Sequence, residues 1–304
     1  MKKVFIATTT FAEDDPSLLK TLVKAKISPT MNPYGRRLSE IEITDILVKG
    51  QYDGLLAGLE PLTEVVLTQA KSLKVISRVG VGMDNIDQVA AKKLGIKVFN
   101  TPGVLTDAVA ELTLGLILAA LRKISLLDRK MRAGVWDKQM GALLKGKTVG
   151  IVGFGHIGTR VADLVLAFGA KVIFTDVRKL KKAKAKQVSL AQLIKLADII
   201  SLHCSGKEAL IGEKEIQAAR TNVIIINTAR GSLIDEKLLL EGLSSGKIAC
   251  AGLDVFSEEP YKGELLKQDN VILTPHVGSY AKEARILMEA MAVENLIQGL
   301  KGRE

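Results

Sequence analysis

Three side chains suited to acid–base chemistry each lie a few residues beyond an apolar, β-branched stretch of the sequence: Arg230, Glu259 and His276. Such stretches are typical of buried strands, and in an open α/β sheet ligands bind at the carboxyl ends of the strands. An arginine at that edge can hold a carboxylate through its planar guanidinium. A histidine there can exchange a proton near neutral pH. Together they predict catalysis on a small carboxylic acid, with transfer of a proton.

The histidine needs an acidic partner, because a carboxylate beside an imidazole favours its protonated form and fixes its orientation. Glu259, which precedes Pro260, and its neighbour Glu258 both qualify, and the residues alone do not decide between them. Each candidate also has an interpretation without catalysis. Arg230 could lie in a surface turn, Glu259 and Pro260 could form a solvated loop, and His276 could have a purely structural role. Their combination with a dinucleotide motif favours the catalytic interpretation.

That motif, Gly153-Phe154-Gly155-His156-Ile157-Gly158, follows a predicted strand at 149–152 and opens a predicted helix. The glycines allow a tight turn and a close approach of the backbone to a pyrophosphate, whose charge the helix N-terminus attracts. Asp176 closes the next strand, where its carboxylate would bind a ribose and repel a 2′-phosphate. The motif predicts hydride transfer with NAD in preference to NADP. Arg178 and the basic run at 179–186 weaken this preference, since cations there tolerate a phosphate.

Short apolar runs alternate with amphipathic ones along the chain. This alternation predicts parallel sheets covered by helices, and so an α/β fold. A loop at Asn100-Thr101-Pro102-Gly103 interrupts it, and one long, mostly apolar helix is expected over about 106–132. Strands are predicted near 4–7, 54–57, 74–77, 97–99, 148–152, 171–175, 199–202, 222–226, 248–254 and 271–273, and helices near 16–26, 39–49, 63–70, 86–94 and 281–300.

Composition restricts the class of protein. The 304 residues are 47% hydrophobic and 25% charged, which is ordinary for a globular protein of two domains. The net charge of +10 suits anionic substrates, but with only 4% aromatic residues nucleic-acid binding is not expected. The longest apolar stretch, 112–121, is too short for a membrane span, and we find no signal peptide. Two cysteines without a CxxC motif and three histidines without metal-ligand spacing predict a cytoplasmic protein with no metal site.

An ordered set of motifs covers essentially the whole chain. They are Arg-Val-Gly-Val-Gly-Met-Asp-Asn at 78–85, Asn-Thr-Pro-Gly at 100–103, the glycine motif at 153–158, Asn-Thr-Ala-Arg-Gly at 227–231, Gly-Leu-Asp-Val-Phe with Glu-Glu-Pro at 252–260, and Thr-Pro-His-Val-Gly at 274–278. This set resembles the D-isomer-specific 2-hydroxyacid dehydrogenase family, and within it the D-3-phosphoglycerate dehydrogenases most.

The resemblance implies roles for individual residues. The catalytic set is Arg230, Glu259 and His276, with Glu259 rather than Glu258 as the acid. The implied cofactor contacts are Gly153, Gly155, His156, Ile157, Gly158, Asp176, Val81, Cys204, Thr228, Ala229, Asp254, Gly278 and Ser279. The implied substrate contacts are Arg230, His276, Arg78 and the backbone of Val79 and Gly80.

The resemblance also implies the architecture and the activity. It implies two doubly wound parallel-sheet domains: a flavodoxin-like substrate-binding domain of residues 1–99 and 282–304, and a Rossmann-type NAD-binding domain of residues 100–281. A homodimer would form in part through the helix that begins near Thr106. The implied activity is the NAD-dependent interconversion of a small D-2-hydroxy acid and its 2-oxo acid, with 3-phosphoglycerate dehydrogenase of serine biosynthesis as the leading expectation.

One segment departs from the phosphoglycerate-type pattern. Those members usually carry an arginine that helps bind phosphate where this chain has Gly58-Leu59-Glu60-Pro61, although Arg78 is retained and Arg36 or Arg37 could substitute. A glyoxylate or hydroxypyruvate reductase is therefore the alternative. A third interpretation, from another class, is a dinucleotide-sensing binding protein similar to the transcriptional corepressors of this fold, although the sequence shows no peptide-binding signature.

Overall fold

A computed structural model describes residues 1–180 and 183–301. Lys181 and Lys182 of the basic run, and the last three residues of the segment predicted at 282–304, lie outside the described residues. The chain separates into two compact units, one of Met1–Leu105 with Ser279–Glu304 and one of Thr106–Gly278. The predicted divisions after residues 99 and 281 lie close to these bounds. The substrate-binding and cofactor-binding roles of the two units stay predictions.

The helices and strands alternate along the chain as expected. The strands are β1 (Lys2–Ile6), β2 (Ile27–Met31), β3 (Gly54–Ala57), β4 (Val75–Arg78), β5 (Lys97–Phe99), β6 (Thr148–Val152), β7 (Lys171–Thr175), β8 (Lys186–Gln187), β9 (Ile199–Leu202), β10 (Val223–Asn227), β11 (Ile248–Leu253) and β12 (Val271–Leu273). The helices are α1 (Ser17–Lys24), α2 (Glu40–Gly50), α3 (Glu64–Gln69), α4 (Gln88–Lys93), α5 (Thr106–Arg122), α6 (Ile124–Arg132), α7 (His156–Ala167), α8 (Leu190–Leu196), α9 (Glu213–Ala218), α10 (Glu236–Ser244) and α11 (Lys282–Lys301).

The first unit contains a five-stranded parallel sheet in the order β2-β1-β3-β4-β5. This is the strand order of a flavodoxin-like doubly wound fold. Its core includes Phe5, Leu55 and Ile76 on neighbouring strands, packed with Ile43 and Leu47 of α2. The α/β class predicted for this part of the chain is confirmed.

The second unit contains a seven-stranded parallel sheet in the order β12-β11-β10-β9-β6-β7-β8. Counted from β6, its first six strands have the order of the Rossmann fold, and β12 extends the sheet. All five residues of β10 are buried. Alternate residues point to opposite faces, so Ile225 packs in one layer and Ile224 and Ile226 in the other. The two-sheet α/β prediction is thus confirmed for both units.

Three details differ from the expectation. The single helix expected at 106–132 is two helices, because Lys123 has a left-handed backbone conformation (φ +54°) that ends α5 before α6 begins. The edge strands β2 and β8 were not predicted. β2 is mostly exposed and contains Pro29, while β8 has only two residues, so neither carries the apolar pattern of a buried strand.

Among the described residues, no helix is long and apolar enough to cross a bilayer. The same residues contain no group of three or more His, Cys, Asp or Glu side chains placed to hold a metal ion.

Candidate active site

The three predicted catalytic residues follow three neighbouring strands of the second unit. β10 pairs with β11, where Asn227 lies beside Leu253, and β11 pairs with β12, where Leu253 lies beside Leu273. The segments that leave these strands therefore start at one edge of the sheet. Arg230, Glu259 and His276 lie in these segments, at the edge where α/β proteins bind ligands.

Glu259 and His276 form a hydrogen-bonded pair. The Nδ1 of His276 lies 2.8 Å from Oε2 of Glu259, and Oε1 of Glu259 accepts the backbone N–H of Phe256 at 3.1 Å. An ionised carboxylate only accepts, so Nδ1 carries the proton and donates it. This leaves Nε2 as the ring nitrogen that can face a substrate, on a side chain that is 40% exposed. The structure places Glu259 at the imidazole, in agreement with the family resemblance.

The Arg230 segment packs directly against the Glu259 segment at Gly231. A Cβ atom at Gly231 would lie 1.9 Å from the carbonyl carbon of Phe256 and 2.1 Å from its oxygen. Only a glycine allows two backbones to approach this closely. Glu236 of α10 fixes the same loop from the other side, because its Oε1 accepts the N–H of Ser257 at 2.8 Å and the hydroxyl at 2.7 Å.

A buried asparagine shapes the turn that carries Arg230. Asn227, which is 1% exposed, donates from Nδ2 to the carbonyl of Arg230 at 2.8 Å and accepts the N–H of Ala229 at 3.1 Å. The guanidinium of Arg230 itself donates from Nη1 to the carbonyl of Ala229 at 2.7 Å. The asparagine therefore fixes the backbone from which the guanidinium projects, a role that sequence reasoning did not assign.

Asp254 holds the histidine segment. Its Oδ1 accepts the hydroxyl of Thr274 at 2.6 Å and the N–H of Val277 at 2.8 Å, and its Oδ2 accepts the N–H of Gly278 at 2.8 Å. The carboxylate is 1% exposed, and its charge is stabilised by these three donors. Asp254 thus positions the backbone on both sides of the predicted catalytic imidazole.

The glycine motif has the packing that a dinucleotide loop requires. Gly153 has φ +91°, and a Cβ there would lie 2.7 Å from backbone atoms of His203 and Cys204. A Cβ at Gly158 would lie 2.1 Å from the carbonyl oxygen of Gly153, so α7 can lie on the loop only with glycine at this position. At Gly155, by contrast, nothing lies within 4 Å of a Cβ position. The open side of the loop and the N-terminus of α7 are suited to a pyrophosphate.

Asp176 directly follows β7 and is held against the same loop. Its Oδ2 accepts the N–H of Phe154 at 2.8 Å, which joins the predicted ribose-binding residue to the glycine motif. The side chain of Arg178 bonds the carboxylate and lowers the pKa of Asp176 to about 2. The carboxylate is therefore ionised at neutral pH, as an acceptor of ribose hydroxyls must be.

Residues 114–278 match the family model described as D-isomer specific 2-hydroxyacid dehydrogenase, NAD binding domain. The chain belongs to this family. It is an NAD-dependent D-2-hydroxyacid dehydrogenase, and the resemblance and the cofactor predicted from the sequence are confirmed.

Relatives along the whole chain agree. The chain is 40% identical to the glyoxylate reductase of Thermococcus litoralis, over 99% of this chain and 94% of that protein. It is 43% identical to the hydroxypyruvate reductase of Thermotoga maritima, over 79% and 81%. It is 42% identical to the D-3-phosphoglycerate dehydrogenase of Methanocaldococcus jannaschii, over 87% of this chain but 51% of that protein.

Solved structures share the fold. The TT0316 protein from Thermus thermophilus superposes with a TM-score of 0.90 at 35% identity, covering 99% of this chain and 98% of that one. The D-lactate dehydrogenase from Aquifex aeolicus, complexed with NAD and lactic acid, superposes with a TM-score of 0.87 at 28% identity, covering 99% and 96%.

In this dehydrogenase, Thr113 orients the hydroxyl of Thr228, a predicted cofactor contact that lies far away in the sequence. The hydroxyl of Thr113, on α5, donates to the carbonyl of Val109 at 2.7 Å and lies 2.9 Å from the hydroxyl of Thr228. A hydroxyl has one proton, so Thr228 must be the donor to Thr113. The hydroxyl of Thr228 therefore presents only lone pairs elsewhere. Sequence reasoning missed Thr113, because it looks like one more residue of an apolar helix.

We expect Thr113→Val to destabilise the enzyme and to weaken NADH binding. The substitution keeps the shape of the side chain but removes the acceptor of the Thr228 hydroxyl, which costs about 1–3 kcal/mol when a buried donor loses its partner. Urea unfolding and NADH titration measure the two effects. Thr113→Ser keeps the hydroxyl and is the matched control. Equal losses in both variants would contradict the hydrogen-bond account.

His203, which directly follows β9, is a neutral imidazole in the folded dehydrogenase. Its Nε2 lies 2.8 Å from the hydroxyl of the fully buried Ser201, and its carbonyl packs against Gly153. Burial lowers the pKa of His203 from 6.5 to about 3. Between pH 6.5 and pH 3, His203 therefore binds a proton in the unfolded chain but not in the folded chain. The free energy of unfolding accordingly decreases as the pH falls from 6.5 toward 3.

The expected loss from this residue between pH 7 and pH 5 is about 2 kcal/mol of unfolding free energy, at about 1.4 kcal/mol per pH unit below 6.5. Urea unfolding of the native enzyme and of His203→Gln at both pH values measures it. Glutamine does not titrate, so the variant should lose about 2 kcal/mol less than the native enzyme on acidification. An identical pH dependence would show that His203 is not the titrating group.

At the carboxyl edge of the first unit's sheet, the predicted substrate contact Arg78 lies near the buried acid Glu60. Arg78 ends β4, is 8% exposed and donates to the carbonyl of Val79. Glu60 lies beyond β3, is 2% exposed, and accepts the N–H of Gly58 at 3.0 Å with both carboxylate oxygens. Burial raises the pKa of Glu60. Val81 is 38% exposed in the loop after Gly80.

Proposed function

We propose that this dehydrogenase reduces short, unphosphorylated 2-oxo acids, glyoxylate or hydroxypyruvate, to the corresponding hydroxy acids (the D isomer where the product is chiral). The observation that carries the chemistry is the 2.8 Å bond between Glu259 and the Nδ1 of His276, with Arg230 on the neighbouring strand end. A proton donor held in one orientation, together with a guanidinium that binds the carboxylate, is what reduction of a 2-oxo acid requires.

The reaction divides between the cofactor and the side chains. Bound NADH supplies the hydride for the carbonyl carbon. His276 donates the proton on Nε2 to the carbonyl oxygen and regains one from solvent after the product leaves. Arg230 binds the substrate carboxylate and polarises the carbonyl. Glu259 stabilises the imidazolium before the transfer and keeps the ring oriented throughout.

We assign the remaining predicted contacts to the same function. Within the second unit, the dinucleotide binds at Gly153, Gly155, His156, Ile157, Gly158, Asp176, Cys204, Thr228, Ala229, Asp254 and Gly278. The cofactor contacts of Val81 and Ser279, and the substrate contacts of Arg78, Val79 and Gly80, stay predictions.

Two observations favour an unphosphorylated substrate. Glu60 places a buried carboxylate near the end of β3, in the segment where phosphoglycerate-type members usually carry a phosphate-binding arginine. A carboxylic acid in place of that arginine offers a phosphate no positive charge. Two relatives that match along most of both chains are also a glyoxylate reductase and a hydroxypyruvate reductase.

The second candidate is 3-phosphoglycerate dehydrogenase of serine biosynthesis. Arg78, retained at the end of β4, and the 42% identity to the Methanocaldococcus enzyme support it. NADH oxidation with glyoxylate, hydroxypyruvate and phosphohydroxypyruvate separates the two. We expect kcat/KM for the phosphorylated acid to be about tenfold or more below that for hydroxypyruvate. Preference for the phosphorylated acid would establish the second candidate instead, and no turnover of any of the three would contradict both.

We also propose that the enzyme is a homodimer that assembles through α5, α6 and the segment that follows them. Large apolar side chains are exposed there, including Trp136 at 77% and Met140 at 89%. Met140 also lines a groove of about 670 Å³ beside α5 and α6. Several large apolar side chains exposed along one segment are typical of a protein interface.

Trp136→Asp should convert the dimer to a monomer, because a carboxylate would have to be buried in the interface. Light scattering coupled to gel filtration measures the mass. Lys214→Asp, at an exposed position of α9 outside the proposed interface, is the control for added negative charge. A native enzyme that is monomeric, or a Trp136 variant that stays dimeric, would contradict this interface.

A cytoplasmic location is part of the proposal. Both cysteines, Cys204 and Cys250, are free thiols, which suits a reducing compartment.

A further inference from the structure

The carboxylate of Asp176, which follows β7, already accepts hydrogen bonds from four donors. Oδ1 of Asp176 accepts the backbone N–H of Arg178 at 2.9 Å and its Nε at 3.1 Å. Oδ2 accepts the N–H of Phe154 at 2.8 Å and Nη2 of Arg178 at 3.3 Å. A carboxylate offers about four lone-pair positions. Two ribose hydroxyls can therefore bind Asp176 only if two of these donors leave.

The side chain of Arg178 is the part that can leave. It is 63% exposed, whereas the side chain of Asp176 is 7% exposed. The backbone donors stay in place because Gln187 of β8 holds the loop by three hydrogen bonds. Its Nε2 donates to the carbonyl oxygens of Asp176 at 3.1 Å and Arg178 at 2.8 Å, and its Oε1 accepts the N–H of Leu180 at 3.2 Å. The guanidinium can thus swing away while the loop keeps its conformation.

We propose that Arg178 is a specificity-determining residue for the dinucleotide, which competes with the ribose of NADH for Asp176 and binds the 2′-phosphate of NADPH. The enzyme accordingly accepts both dinucleotides. The inference rests on the proposed contact between Asp176 and the adenosine ribose, and goes beyond it by giving the neighbouring cation opposite effects on the two cofactors.

The opposite effects follow from charge. When NADH binds, the ribose hydroxyls take the two positions that the guanidinium vacates, so the ion pair is lost and affinity is reduced. When NADPH binds, the 2′-phosphate would face the ionised Asp176 and be repelled. A guanidinium between the two anions neutralises both, and its planar fork bonds phosphate in two places.

The test is the dissociation constant of NADH and of NADPH, measured by fluorescence titration without any substrate. Arg178→Gln removes the guanidinium and keeps a side chain of similar reach. Lys179→Gln removes the same charge one position along and is the matched control. We expect Arg178→Gln to weaken NADPH binding about tenfold to 100-fold, as for loss of bonds to a charged group, and to leave NADH binding equal or severalfold tighter. Lys179→Gln should change the ratio of the two constants by less than about threefold.

Several results would overturn the inference. They are a native enzyme that does not bind NADPH, an unchanged ratio in Arg178→Gln, an equal loss for both dinucleotides in that variant, or the same shift in Lys179→Gln. Asp176→Asn separates this failure from failure of the proposed cofactor site. If Asp176→Asn weakens NADH binding while Arg178→Gln leaves the ratio unchanged, only the role of Arg178 is wrong. If Asp176→Asn leaves NADH binding unchanged, the ribose contact is wrong as well. Neither outcome depends on which 2-oxo acid is reduced.

Discussion

Replacing His276 with glutamine should lower kcat for 2-oxo acid reduction by about 10²–10⁴-fold, the range contributed by a positioned general acid. Glutamine can donate a hydrogen bond to the substrate oxygen but cannot transfer a proton to it. The dissociation constant of NADH should change little, because the glycine motif and Asp176, the proposed contacts of the pyrophosphate and the adenosine ribose, follow other strands of the sheet. Steady-state NADH oxidation gives kcat, and fluorescence titration gives the affinity.

The acidic partner provides the matched comparison. Glu259→Gln keeps the shape of the side chain but removes the charge that stabilises the imidazolium, so we expect it to lower kcat and to shift the alkaline limb of the pH–rate profile for reduction to lower pH. Glu258→Gln, at the adjacent carboxylate, should leave both unchanged. A His276→Gln enzyme that keeps more than about a tenth of the native kcat would be incompatible with histidine as the proton donor.

Gly231→Ala should lower kcat/KM by about 100-fold or more without touching any side chain that contacts substrate. The added Cβ would lie 1.9 Å and 2.1 Å from the carbonyl carbon and oxygen of Phe256, which are backbone atoms and cannot rotate away. The Arg230 segment and the Glu259 segment must then separate, and a displacement of about 1 Å between catalytic groups costs about 10²-fold in rate. Kinetics together with circular dichroism distinguish this loss from unfolding.

Gly212→Ala is the control. This glycine is also in the second unit, at the N-cap of α9, but a Cβ there meets only the carboxylate oxygen of Glu215 at 3.6 Å, an ordinary contact. The change should cost at most about 1 kcal/mol of stability and leave kcat/KM as it is. Near-native activity of Gly231→Ala would mean that the close packing at Phe256 does not position the catalytic groups.

The sequence predicted the placement of the candidate catalytic groups better than the groups that hold them. Arg230, Glu259 and His276 were predicted to lie at one edge because strand ends can be located from apolar runs, and parallel strands bring their carboxyl ends together. Glu259 was preferred to Glu258 only through the family resemblance. The structure gives the physical reason, since Oε1 of Glu259 is bonded to the N–H of Phe256 while Oε2 faces the imidazole.

The supporting residues were missed for a different reason. Thr113 acts on Thr228 and Glu236 acts on Ser257, each across elements that are far apart in the chain. No local pattern encodes such contacts. Asn227 had a local signal, because an asparagine that ends a buried strand must bond its own turn, but that signal was not used. The edge strand β2 and the break at Lys123 were missed because tertiary packing, rather than residue propensity, decides them.

The most direct test of the catalytic assignment is a crystal structure of the enzyme with NADH and oxamate, an unreactive analogue of a 2-oxo acid. We expect the guanidinium of Arg230 and the Nε2 of His276 to lie within about 3.2 Å of oxygen atoms of the analogue, with Glu259 still bonded to Nδ1. An analogue bound with Arg230 or His276 turned away from it would contradict the account.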